Sequence, residues 1–473
     1  MKKALVVVIA LLLPVLAGAQ VWTEHTVDGE FDYARSVYSA DVDGDGDMDV
    51  LGAAATDDIV WWENLDGTGL NWSKHTVDGE FDGAQSVYAA DVDGDGDLDV
   101  LGAAEIVNNI TWWENLDGTG LNWSEHTVAE WFDGAGCVYA ADVDGDGDMD
   151  VLGTAEVADD IAWWENLDGN GLNWSEHTLN GEFDDVESVY AADVDGDGDM
   201  DVLGAAEYAD DITWWENLDG AGQNWSEHTV DGEFNGAHSV YAADVDGDGD
   251  LDVVGAGEIG NIISWWENLD GTGLNWSEHT LDDEFEHAYC VYAADMDGDG
   301  DIDVLGAARN ANDIACWENL DGTGQTWSKH TVVSNFNGAI SVYAADVDGD
   351  GDLDVLGAAK WVNDINWWEN PLATSVEEES STDIPDGYAI SRVYPNPFNP
   401  STTISVSLPS PSELDIVVYD VVGRQVATLA DDYINAGTHT FTFDASGLAS
   451  GMYFIRATVP GHMNTIHKVM LVR

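Results

Sequence analysis

Seven times the chain repeats one nine-residue pattern, Asp-x-Asp-Gly-Asp-Gly-Asp-x-Asp, beginning at Asp41, Asp91, Asp142, Asp193, Asp244, Asp295 and Asp346. The copies stand 50 or 51 residues apart, so whatever one unit folds into must be repeated round the molecule. Five carboxylates in so short a stretch repel one another, at roughly 1 kcal/mol for a pair ~4 Å apart even in water. Hard oxygen donors at alternating positions, with glycines that permit a tight turn, suit Ca²⁺ better than Mg²⁺, which holds a strict octahedron and keeps its waters. An EF-hand is excluded, because the twelfth loop position should be a bidentate Glu and here is Gly52. A merely solvated acidic turn gives no reason for seven copies in register.

The expected ligands in the first unit are Asp41, Asp43, Asp45 and Asp49 through their side chains, and Asp47 through its carbonyl. The second and third units offer Asp91, Asp93, Asp95, Asp97, Asp99 and Asp142, Asp144, Asp146, Asp148, Asp150. The fourth and fifth offer Asp193, Asp195, Asp197, Asp199, Asp201 and Asp244, Asp246, Asp248, Asp250, Asp252. The last two offer Asp295, Asp297, Asp299, Asp301, Asp303 and Asp346, Asp348, Asp350, Asp352, Asp354. About seven Ca²⁺ sites are expected.

These loops hold 35 of the 94 acidic residues, and the formal charge is −82. Seven Ca²⁺ would offset only a small part of it, so nucleic acid and anionic membrane surfaces are poor partners. The 44% hydrophobic content and 22 tryptophans argue against disorder. Residues 1–19 read as a secretory signal peptide: Lys2 and Lys3, the apolar run Ala4–Leu16, then Ala17-Gly18-Ala19 with cleavage expected before Gln20. No other stretch reaches the ~20 apolar residues of a membrane span. Cys137, Cys290 and Cys316 are odd in number and fill slots that other units give to Ser or Trp, so they read as small buried residues rather than a disulfide framework.

Each unit carries four strand-like runs, as in SVYAA (Ser86–Ala90), DVLGAA (Asp99–Ala104), ITWWENL (Ile110–Leu116) and NWSEHTV (Asn122–Val128). Four short strands per period of about 50 residues indicate a β-propeller blade. The WWEN-type runs and the HT[V/L] runs both number seven, but the first of the latter, in Val21–Val27, precedes every aspartate loop and none follows Asn370. The N-terminal strand is therefore expected to complete blade seven and close the ring. Twenty of the tryptophans fall on the repeat grid and read as core, since adjacent residues of a strand face opposite sides. The repeat histidines (His25, His75, His126, His177, His228, His279, His330) sit one to a blade and read as structural.

The run DVDGDGDxDVLGAA after SVYAA resembles the FG-GAP/VCBS-type repeat, as in the integrin α-chain propeller, over about Val21 to Pro371. The resemblance implies that the loop joins the first two strands on the lower face and that Ca²⁺ stabilises the blade; it implies no partner and no chemistry.

Past Pro371 the repeat stops. Residues 372–389 read as an acidic linker, and 390–473 as a small Ig-like β-sandwich of six or seven strands, with alternating runs at Glu413–Asp420, His439–Asp444 and Met452–Val459. YPNPFNPSTTI (Tyr394–Ile404), VYDVVGRQVATL (Val418–Leu429), AGTHTFTFDASGLASGMYFIR (Ala436–Arg456) and KVMLVR (Lys468–Arg473) resemble the C-terminal sorting domain (type A) of type IX secretion substrates. That resemblance implies the type IX machinery as a partner and release to the medium or attachment at the outer cell surface.

The full expectation is an all-β chain: a signal peptide (1–19), a seven-bladed propeller (20–371), a linker (372–389) and a sandwich (390–473). The lower loops are nearly identical and the upper ones differ. One slot before the first strand of each blade reads Arg35, Gln85, Gly136, Glu187, His238, Tyr289 and Ile340. A second, after the second strand, reads Ala55, Glu105, Glu156, Glu207, Glu258, Arg309 and Lys360. Repeats that share a scaffold and vary on one face carry specificity there. Arg35, Arg309 and Lys360, on neighbouring blades, with Trp361 beside them, are the candidate ligand-binding group, suited to an acidic glycan. The expected function is a secreted calcium-binding propeller that binds or adheres to a glycan or surface protein. The alternative is a polysaccharide-active enzyme of lyase type, for which His238, His287 and Tyr289 are the off-grid residues. No nucleophile motif or cofactor fingerprint appears.

Overall fold

β-Branched and aromatic runs bounded by Gly, Asn and Asp become strands, and the described residues contain no helix. The computed structural model describes residues 21–56, 58–372, 388–394, 401–421, 424–434, 437–445, 451–460 and 462–471. The expected signal peptide and residues 373–387 of the expected linker lie outside them.

After β1 (Thr23–Asp28), the first blade is an antiparallel meander of β2 (Ala34–Ala40), β3 (Asp49–Ala54), β4 (Asp58–Asn64) and β5 (Trp72–Asp78). The same four-strand order recurs five more times as β6 to β25, across residues 84–334. Strand β2 lies at the axis. Its Tyr38 and the equivalent Tyr88, Tyr139, Tyr190, Tyr241, Tyr292 and Tyr343 form a closed belt, each ring 4.5–5.0 Å from the next, with Tyr343 meeting Tyr38 at 4.7 Å. Burial pushes the Tyr38 hydroxyl up to about 12, against the opposing effect of hydrogen bonds to Tyr343 and Tyr88.

Strand β3 is buried at every position, as a strand covered on both faces must be. Trp61 and Trp62 of β4 point to its two sides and are 0% and 1% exposed. Trp61 Nε1 donates to the Gly120 carbonyl of the next blade at 2.9 Å, and the ring stacks on His75. Trp62 meets Phe31 edge-on at 5.0 Å, and a Cβ on Gly52 would stand 2.8 Å from its ring. Glycine in the VLGAA run is what admits the indole. The repeat histidines act on the outer strands: His75 Nε2 lies 2.9 Å from Glu63 Oε2, and the pairing recurs at His126, His177, His228, His279 and His330.

The last blade is built from β26 (Ala339–Ala345), β27 (Asp354–Ala359) and β28 (Asp364–Glu369), and β1 supplies its outer strand, with Thr23 opposite Glu369 and His25 opposite Trp367. Lys74 Nζ then reaches Asp28 Oδ2 of that strand at 2.9 Å, joining the first blade to the last. The N-terminal closure expected from the strand count is thus present.

The tail is a separate unit of seven strands: β29 (Ala389–Tyr394), β30 (Ser401–Leu408), β31 (Ser412–Asp420), β32 (Gln425–Ile434), β33 (Gly437–Asp444), β34 (Gly451–Val459) and β35 (Met463–Leu471). They form sheets of order β29-β30-β33 and β32-β31-β34-β35, enclosing Ile404, Val406, Leu414, Ile416, Phe443 and Ile455. This is the expected β-sandwich. The cysteines form no disulfide, and Cys290 and Cys316 stand on the first and third strands of their blade, with the second strand between them.

Removing Val21–Asp28 should expose the edge of β28 and the indole of Trp367, lowering the propeller's melting temperature and promoting aggregation. Calorimetry and light scattering would check this against deletion of residues 376–383. Equal melting of the two variants would contradict the closure.

Candidate functional site

The lower face is a ring of seven superimposable aspartate loops. In the first, Asp41 Oδ2 accepts from Gly46 N at 3.1 Å, Asp43 Oδ1 from Asp45 N at 3.2 Å, and Asp45 Oδ1 from Asp47 N at 3.0 Å. Asp49, 1% exposed, accepts from Val42 N at 3.0 Å and from Asn64 N at 2.8 Å. Burial pushes the Asp49 carboxyl up to about 7, against the pull of those two amides. Asn64 then extends its side chain to the carbonyl of Val347 in the preceding blade's loop, at 2.9 Å. Equivalent bonds run from Asn115 to Val42, Asn166 to Val92, Asn217 to Val143, Asn268 to Val194, Asn319 to Val245 and Asn370 to Met296. Each loop is therefore pinned to its own third strand and held by the next blade.

The Asp47 carboxylate packs under the turn between β4 and β5, where a Cβ on Gly67 (φ +62°) would stand 2.5 Å from it. That contact puts both turns on one face, in line with strand alternation.

The donor set is all hard oxygen, and in six of the loops one donor atom is orphaned. The Oδ1 atoms of Asp41, Asp91, Asp142, Asp193, Asp244 and Asp346 are buried and have no hydrogen-bond partner. In the first and third loops the oxygens of Asp41, Asp43, Asp45 and of Asp142, Asp144, Asp146 converge within 4.8 Å; in the second, Asp91, Asp93 and Asp99 do. An orphaned buried carboxylate oxygen among converging carboxylates fits a bound hard cation.

The upper face is different. The slot read as preceding the first strand lies within it, on a β-bulge: Ala34 pairs with Ala54 and Ser36 with Ala53, leaving Arg35 as the extra residue. The same register shift recurs in all seven blades. A bulge re-aims its side chain, and here it brings residues of distant blades together. Arg35 of blade one acts electrostatically on Glu156, Tyr289 and Lys360 of blades three, six and seven.

Lys360 feels both arginines: burial lowers its pKa, and the charges of Arg35 and Arg309 lower it further. These cations are not all free of acidic partners, however. Arg309 hydrogen-bonds Glu258 of the preceding blade, and its guanidinium lies 5.1 Å from the Tyr289 ring. Glu258 also takes His287 Nδ1 at 2.8 Å. Burial would raise Glu258, but that bond and the charges of His238 and Arg309 hold it below its ordinary value. Burial raises Glu156 and Glu207 to about 7, helped by Glu105 and Glu258 respectively, and drives Glu187 well up, with Glu156 and Asp185 adding to it.

Asp185 was missed from sequence, although it stands where four units have Gly. The upper loops display Trp131 (84% exposed), Tyr208 (67%) and Trp361 (51%), with Tyr208 close enough to Asp185 and Glu207 to feel their charge. Among the propeller's basic residues, Lys74 and Lys329 are engaged on the outer strands by Asp28 and Asp282.

No curated protein matches the chain. Solved structures similar to it include BBS1N in complex with ARL6DN (13% identity, TM-score 0.49, 74% of this chain and 97% of that one). The extracellular domain of the hybrid two component system BT3049 from B. thetaiotaomicron is similar at 11% identity and TM-score 0.47, over 95% of this chain and 57% of that one. PorZ, a surface component of the type-IX secretion system of Porphyromonas gingivalis, is similar at 13% identity and TM-score 0.46, over 94% of this chain and 60% of that one. The model of the FG-GAP-like repeat matches six times, at residues 41–102, 91–153, 154–204, 203–255, 244–306 and 295–357. The model of the secretion system C-terminal sorting domain matches residues 392–472. That domain directs export by type IX secretion to the cell surface or beyond. No helix among the described residues is long and apolar enough to cross a membrane. The chain belongs to the FG-GAP-like repeat family, as a seven-bladed propeller that ends in a type IX sorting domain.

Proposed function

We propose that this chain is an exported, calcium-binding propeller that acts as a binding or adhesion module, with its ligand taken on the upper face. The observation that carries this reading is the contrast between the faces: seven lower loops with one hydrogen-bond pattern, and upper loops that differ from blade to blade and expose Trp131, Tyr208 and Trp361. Exposed aromatic rings beside charged groups suit a glycan, whose sugar faces stack on them. Arg35 and Lys360 would meet an acidic substituent; Arg309 would have to exchange Glu258 for it.

Calcium is the scaffold's part of the proposal. Asp41, Asp43, Asp45 and Asp49, with the Asp47 carbonyl, would hold the ion in the first loop, and their counterparts in the other six. The ion would neutralise the clustered carboxylates; the protein's own residues, through Asp49 and Asn64, would transmit that order to the neighbouring blade. Removing the metal should therefore loosen blade junctions, not merely loops.

Chelation should lower the melting temperature by more than about 10 °C, since each site filled at 100 times its Kd adds ~2.7 kcal/mol, and millimolar Ca²⁺ should restore it. Identical melts with EDTA and with Ca²⁺ would refute the metal assignment. Removing residues 394–473 should leave the propeller's melting unchanged but retain the protein in the periplasm, as cell fractionation would show. For the ligand, a panel of neutral and acidic polysaccharides should yield a binder whose affinity falls at least tenfold, about 1.4 kcal/mol, in Trp131→Ala with Trp361→Ala. Arg309→Glu with Lys360→Glu should remove only acidic binders. Release of unsaturated sugar products from uronate glycans would favour the lyase alternative instead.

A further inference from the structure

The upper mouth contains one group of side chains that neither the calcium loops nor the aromatic rim accounts for. Glu187 and His238 are the bulged residues of blades four and five, and Glu207 follows the second strand of blade four. Each bulge turns its residue toward the axis, so two adjacent blades deliver donors to one point. One ligand atom from each of Glu187, Glu207 and His238 lies within 4.8 Å of the other two.

The imidazole distinguishes this group from a patch of acid. His238 is 8% exposed, and its ring is covered by Tyr289 with centroids 3.6 Å apart. Its Nε2 faces Glu187 Oε2 at 3.6 Å, beyond hydrogen-bond length. The two groups are thus spaced as neighbouring ligands of one ion are, rather than as a hydrogen-bonded pair. In a tetrahedral site with bonds of about 2.1 Å the ligand atoms stand roughly 3.4 Å apart, close to the Glu187–His238 separation. Glu156 and Asp185 form an overlapping group with Glu187, placing further acceptors around the same carboxylate.

We propose that Glu187, Glu207 and His238 bind one divalent transition-metal ion of the Zn²⁺ type at the upper mouth. Two carboxylates and one imidazole offset its charge, and the nitrogen donor favours zinc-like ions over the Ca²⁺ suited to the all-oxygen loops. Three protein ligands leave a coordination position for an oxygen of whatever the upper face receives.

The test uses the mature full-length chain, free of any tag, held in excess Ca²⁺ and dialysed against Zn²⁺. Metal content measured by mass spectrometry should show about one tightly held Zn²⁺ per chain. His238→Ala and, separately, Glu207→Gln should weaken that binding by more than the roughly 10- to 100-fold that loss of an outer-shell partner costs. Melting in Ca²⁺ reports whether each variant is folded, and the half-buried, loop-borne Glu207 carries the test if His238→Ala does not fold. His75→Ala, which removes an outer-strand His–Glu pair, should keep the zinc. The proposal falls if the wild-type chain holds no zinc, if both mouth variants hold it as tightly, or if His75→Ala is the variant that loses it.

Discussion

The carboxylate of the ninth loop residue, Asp49 and its six equivalents, is the contact on which the propeller depends. One oxygen closes the aspartate loop through Val42 N, and the other fixes the third strand through Asn64 N. Asn64 then grips the neighbouring loop, and its Oδ1 accepts from Gly69 N in the hairpin beyond. One aspartate and one asparagine thus join loop, strand, hairpin and neighbour in six blades, and in the seventh, where no hairpin follows, Asn370 Oδ1 accepts from Leu372 N instead. Because these groups are buried, losing one partner strands the other, at about 1–3 kcal/mol each.

Above this joint the blades are wedged by indoles. Trp61 spans to the next blade's Gly120 carbonyl while Trp62 fills the opposite side against Phe31. The arrangement tolerates local loss: in blade six Cys316 replaces the first Trp, remains 0% exposed, and the blade keeps its four strands. Six such Trp pairs, with Cys316 and Trp317 in the remaining blade, back the inner strands whose tyrosines close the belt.

The bulge at Arg35 and its equivalents separates scaffold from variation. In the register-paired part of the first strand the side chains repeat, as Val37, Tyr38 and their counterparts do. At the unpaired residue the ladder imposes nothing, so seven different side chains occur there without disturbing a blade. This is why charge, aromatic rings and histidine collect at the upper mouth of a molecule otherwise uniform around its axis.

The linear order of residues determined the repeat, the strand count, the closure by residues 21–28, the sandwich and its sorting role, because each follows from local periodicity or from a motif contained in one unit. The Trp pair and the glycine turns were legible for the same reason: strand alternation and turn sterics act over a few residues. Tertiary structure alone decided what meets at the axis. Arg309 reaches Glu258, 51 residues away, and Glu187 faces His238, because a ring brings position n of one blade beside position n of the next. A single bulge decides whether that position points at the axis. Asp49 likewise reads as one more ligand in the loop, and only the packed structure shows that its carboxylate also binds two backbone amides, since one of those amides belongs to a strand fifteen residues on.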